Sequence, residues 1–135
     1  MNYKTKILAL VLVAYIFSSF MFAQSGPKAV MTPTKYDFGN IIQDSVVTLK
    51  FAITNEGDAD LKITKVSASC GCTAVMPEKT ELIPGESTNI IGSFDSKGKL
   101  GQQIKAIFIE TNDPKNPKLR FHLTGNILEK WKYSE

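Results

Sequence analysis

From Val46 to Thr54 the chain follows a period of two. Val47, Leu49, Phe51 and Ile53 fall on one side of an extended backbone; Thr48, Lys50 and Thr54 fall on the other. A period of two in a stretch rich in β-branched residues predicts a strand with one buried face. The same reading recurs downstream. Leu61 and Ile63 face inward against Lys62 and Thr64, and Thr88, Ile90 and Phe94 share a face. Ile104 to Ile109 is apolar on both sides, as a central strand would be. Leu119, Phe121 and Leu123 alternate with Arg120, His122 and Thr124. Two weaker strands are expected near Ala29–Met31 and Tyr36–Phe38.

Between these stretches lie turn signals. "NEGDAD", residues 55–60, is polar and carries Gly57. In "IPGE", residues 83–86, Pro84 presets φ at the first central position and Gly85 accepts positive φ at the second, the type II requirement. Pro114 and Pro117 in "TNDPKNP" lack the donors a strand needs. The pattern predicts an all-β fold: an immunoglobulin-like β-sandwich of about seven antiparallel strands over residues 28–128. A small barrel would give a similar string. Residues 129–135, "EKWKYSE", read as a frayed tail on which Trp131 would either cap the sandwich or stand exposed.

The first residues break this pattern. Lys4 and Lys6 precede the unbroken apolar run Ile7–Phe17, and Ala23 offers a small residue before a cut. That is the arrangement of an export signal, so residues 1–23 are expected to be a signal peptide, with 24–27 a short linker. An uncleaved anchor is the alternative, but Ile7–Ala23 is short of the roughly 20 apolar residues that span a bilayer. No cysteine lies near the cut to carry a lipid. The chain would then be exported, periplasmic or secreted, with no stable membrane span after cleavage.

Charge adds mainly exclusions. The formal net charge is +3, and loss of Lys4 and Lys6 leaves 14 Lys+Arg against 13 Asp+Glu. The charges are spread singly, without a basic stripe interleaved with aromatics, so nucleic acid is a poor partner. "DFG", residues 37–39, matches a kinase tripeptide by letters only; Phe38 is expected in the core and Gly39 at a strand end. The acids Asp44, Glu56, Asp58 and Asp60 fall in turns and are expected to be solvated. No acid/base pair or phosphate loop is recognisable, so an enzyme is not expected.

"YDFGNI" (36–41), "FAITNEGDADLKI" (51–63), "SCGCT" (69–73), "LIPGES" (82–87) and "IETNDP" (109–114) occur in that order. Together they resemble the bacterial domain-of-unknown-function family numbered 1573, which looks like a relative of the ASH/MSP-type immunoglobulin-like domains. The resemblance runs from about Tyr36 to Gly125. It implies an exported Ig-like domain and carries over no catalytic residues.

The only cysteines are Cys70 and Cys72, separated by Gly71. Four readings compete for them. A disulfide is allowed in an oxidising compartment, but a loop of about three residues would gain only roughly 1.5 kcal/mol. On an extended strand the two Cα atoms would stand roughly 6.6 Å apart, near the limit for a bridge, unless Gly71 lets the backbone kink. Plain packing is the second reading: on an unbroken strand Val66, Ala68, Cys70 and Cys72 would share one face. Thiol–disulfide exchange is the third; it needs a low-pKa sulfur, and no Lys, Arg or His lies within two residues. Copper(I) is the fourth, with Met31, Met76 and His122 as further ligands, although His122 alternates outward with Arg120 and Thr124. The function expected is a non-enzymatic, cofactor-free binding or scaffolding module for an unknown envelope protein. The alternative is a small thiol-redox or copper-handling protein acting through Cys70 and Cys72.

Overall fold

The computed structural model describes residues 2–18 and 25–133. After a helix, α1 (Tyr3–Ser18), come nine strands: β1 (Ala29–Thr32), β2 (Lys35–Ile42), β3 (Val46–Asn55), β4 (Leu61–Ala68), β5 (Thr73–Pro77), β6 (Glu81–Leu82), β7 (Ser87–Asp95), β8 (Gly101–Thr111) and β9 (Lys118–Leu128). They form a four-stranded sheet, β1-β3-β7-β5, facing a five-stranded sheet, β2-β9-β8-β4-β6. The expected cut after Ala23 lies outside the described residues. Among those described, no helix is long and apolar enough to cross a membrane.

The alternation seen in the sequence is what divides each strand between core and solvent. In β3, Leu49, Phe51 and Ile53 are buried, and opposite them β7 buries Thr88, Ile90 and Phe94. From the other layer β8 contributes Ile107 and Ile109, and β9 contributes Phe121 and Leu123. Phe51 and Phe121 stack across the interior with ring centroids 4.0 Å apart. These side chains merge into one core, so removing any of the large ones would open a cavity between layers.

The fold is the immunoglobulin-like sandwich, with two departures from a purely antiparallel seven-strand version. Strands β5 and β6 add to the seven expected, and β2 runs parallel to β9. The chain therefore changes sheet between β1 and β2, pairing first with β3 and then with β9. Gly39 does not end a strand: it sits inside β2, at a register shift, with φ +67° and its N–H bonded to the Asp37 carboxylate. Phe38 packs on the core as expected, stacked on Phe94 at 5.4 Å. Its ring occupies the space that an inward side chain at Gly125 would fill.

Turns do more than reverse the chain. Gly85 has φ +82°, and Glu86 N–H bonds Ile83 C=O at 3.0 Å, the hydrogen bond of the expected type II turn. The Lys79 ammonium and the Ile83 N–H both bond the Glu86 carboxylate and hold its pKa below the ordinary value. Asn55, fully buried, accepts from Lys28 N–H and Gly57 N–H and donates to Ala59 C=O and Leu82 C=O. Residues 130–133 form a 3-10 turn, with Lys130 3.4 Å from Asp44.

Candidate functional site

The Cys-Gly-Cys tripeptide is the corner at which the chain leaves one sheet for the other. Strand β4 ends at Ala68, where Ser69 takes over the edge of β8: its N–H bonds Ala106 C=O at 2.8 Å, and its hydroxyl accepts Ala106 N–H at 3.0 Å. A turn follows, with Thr73 N–H directed to Cys70 C=O. Then Asp95 N–H bonds Cys72 C=O at 2.9 Å, which opens the pairing of β5 with β7. An unbroken strand from Val66 through Cys72 is thus not formed; the chain must cross between layers here.

The crossing brings the cysteines together. Their Cα atoms are 5.2 Å apart and the sulfurs are bonded to each other. Gly71 is exposed with open space around it and does not adopt positive φ, so the corner needs no left-handed residue. Cys72 packs against the core from the side, half-buried. The hydroxyl of Thr73, itself buried, lies 3.6 Å from the Cys70 sulfur and 3.9 Å from the Cys72 sulfur.

Two basic residues that the local sequence does not contain line this corner. Lys97 and Lys99, from the turn between β7 and β8, line a depression of about 430 Å³ together with Gly71, Cys72, Ser93 and Asp95. Asp95 uses one carboxylate oxygen to accept Lys97 N–H at 2.8 Å. The pairing of β5 with β7, Thr73 opposite Phe94, carries this turn to the cysteines. The signal in the sequence was only the spacing of two strands, because the lysines lie some 25 residues away.

The strand that leaves the corner, β5, is an edge strand, paired with β7 on one side only. The residues flanking it, Cys72 and Glu78, bond Asp95 and Asn89, so alternation directs the backbone groups of Val75 to the other side. The outer face there is apolar. Met76 is 71% exposed and stands opposite Ile91, which is 41% exposed. With Ala74, Pro77 and Thr48 they line a groove of about 320 Å³. Gly92, which follows Ile91, is turned the other way: an added Cβ would come 3.0 Å from Leu49 and Val75. A second, smaller depression, about 260 Å³, separates β5 from β4 and includes Ile63, Val66 and Thr80.

The structure does not gather the other residues considered for copper. Met31 is buried in β1, Met76 faces out from the four-stranded sheet and His122 faces out from the five-stranded one. Among the described residues no group of three or more His, Cys, Asp or Glu side chains is placed to hold a metal.

Several turn acids have structural partners. Asp58 accepts Ser25 N–H and Gly26 N–H at 2.9 and 2.8 Å, and Glu56 pairs with Lys28 at 3.0 Å. Asp113, 1% exposed, accepts Ala29 N–H, Lys115 N–H and Asn116 N–H at 2.9, 2.8 and 3.1 Å. Burial is the strongest single influence on its carboxyl and pushes the pKa up. The three amide donors, with Lys115, outweigh it and hold the pKa below the ordinary value. Asp58, Asn55 and Asp113 together fix residues 25–29 against the sandwich, a role that a polar turn composition does not announce.

Among solved structures the chain is similar to a protein of unknown function from Porphyromonas gingivalis: TM-score 0.68 at 22% identity, covering 80% of this chain and 50% of that one. It thus spans about half the length of that protein. It is also similar to the ASH/PapD-like domain of human CEP192, with TM-score 0.58 at 16% identity over 76% of this chain and 86% of that one. The periplasmic chaperone SfaE matches with TM-score 0.55 at 9% identity, over 74% of this chain and 58% of that one. These likenesses show a shared fold. Among curated proteins none matches the chain. A family model does match residues 29–127, from the first strand to the last, and the chain belongs to the family described as protein of unknown function, DUF1573.

Proposed function

We propose that this chain is an exported, non-enzymatic binding module of the cell envelope that takes an extended segment of a partner protein along β5. The carrying observation is the exposed apolar pair Met76 and Ile91 beside a strand with one unpaired edge. An incoming strand would gain main-chain hydrogen bonds at Val75 and seat alternate side chains in the groove. Pro77 lacks a donor, so the edge is short, which disfavours indiscriminate sheet growth while leaving room for a few paired residues. The likeness to a periplasmic chaperone supports an envelope setting and a protein ligand. The described acids serve turns and ion pairs, which fits a binding role better than acid/base catalysis.

The test is photo-crosslinking from position 76 in living cells. A discrete envelope protein should be captured, and purified wild type should bind it at least tenfold more tightly than Met76→Asp or Ile91→Asp, with the circular dichroism of all three alike. Equal binding by the variants would sink the β5 site.

A further inference from the structure

We propose that the Cys70–Cys72 bridge is a thiol–disulfide exchange site for small anionic thiols, attacked at Cys72 from the depression that Lys97 and Lys99 line. Three observations converge on it. Cys72 is one of the residues that line that depression and is half-buried, so the bridge lies at its wall. Two basic residues line it against one acid, Asp95, whose Oδ1 is already engaged by the Lys97 backbone N–H. The local field therefore favours both an incoming thiolate and a departing one. The Thr73 hydroxyl lies beside both sulfurs, 3.6 and 3.9 Å away, and is buried. It is placed to turn its hydrogen toward whichever sulfur carries the charge.

The exchange balances as follows. A thiolate RS⁻ attacks the Cys72 sulfur; the Cys70–Cys72 bond breaks and Cys70 leaves as a thiolate with the electron pair. This gives the mixed disulfide R–S–S–Cys72. A second RS⁻ attacks the R sulfur, expelling the Cys72 thiolate and forming RSSR. Two thiols are oxidised, two electrons enter the protein, and the protons of the thiols end on the cysteines or in solvent. The reverse direction reduces RSSR. Because this site uses the corner and not the β5 groove, it stands or falls separately from the binding role.

Charge discrimination tests it. The oxidised full chain is exposed to glutathione, 2-mercaptoethanol and cysteamine, respectively anionic, neutral and cationic. Cysteine release is followed by alkylation and mass, and rates are expressed per thiolate. Glutathione should react at least tenfold faster than cysteamine, through an adduct that maps to Cys72. The preference should collapse in Lys97→Gln/Lys99→Gln and at high salt, where exposed charges are screened. Thr73→Val should slow the reaction with glutathione, because the hydroxyl that faces the departing sulfur is gone. A bridge that resists all three thiols while the protein stays folded would overturn the proposal. So would rates that rank alike in wild type and in the double lysine variant.

Discussion

Asp113 shows what a single buried charge does for this sandwich. Its carboxylate is the acceptor for three amides, one of them at the start of β1, 84 residues away. Removing it leaves those donors without a partner in a dry site, so Asp113→Ala should cost about 2–4 kcal/mol in urea unfolding at pH 7. The pH dependence has a definite sign. The folded pKa lies below the unfolded value of about 3.9. The contribution is fully present above that value and is lost as pH falls through the folded pKa. Stability of the wild type should therefore drop below about pH 4, and Asp113→Asn should flatten that limb while lowering the plateau. Asn55 is the neutral counterpart, its amide satisfied on both sides by four backbone groups. Gly57 beside it admits no side chain, since a Cβ would lie 2.2 Å from Gly26 C=O.

At the scale of elements, periodicity was a good guide where a strand is long and half-buried. Strands β3, β4, β7 and β9 lie where the alternation of Val46–Thr54, Leu61–Thr64, Thr88–Phe94 and Leu119–Thr124 predicts, and β8 where the apolar run Ile104–Ile109 does, although Ile104 is exposed. Strand β5 has five residues ending in proline and β6 only two, too few for a period to register. At the cysteine corner the sequence left four readings open for a related reason. Val66, Ala68, Cys70 and Cys72 do alternate, but a sheet crossing follows the geometry of two layers, which leaves no local period. The lysines beside Cys72 were invisible for the same cause. Parallel pairing of β2 with β9 likewise depends on partners some 87 residues apart. That pairing is keyed by Phe38, whose ring fills the space over Gly125; an added Cβ would fall 2.1 Å from it. Gly125→Ala should thus destabilise by about 1–3 kcal/mol, and combining it with Phe38→Leu should recover part of the loss in a double-mutant cycle.

Across the whole molecule, the sandwich accounts for residues 29 to 128, and the segment before it is tied down as far back as Ser25 by the Asp58 carboxylate. The export reading puts the cut directly before this tied segment. Protein recovered from the medium or periplasm of an expressing bacterium should start at Gln24 by mass; a chain that keeps Met1–Ala23 would argue for an anchor instead. The β5 groove and the cysteine corner occupy neighbouring stretches of one edge, both hung on β7. Partner capture and thiol exchange could therefore be separated by substitutions only a few residues apart.

The parallel alignment of β2 and β9 has a mechanical consequence. Tension applied between the chain preceding β2 and the chain following β9 pulls these two strands in opposite directions along their length. Once β1 has yielded, the hydrogen bonds joining them are strained all together, in shear, and do not unzip one after another. A domain loaded between those two ends would hold its shape for that reason.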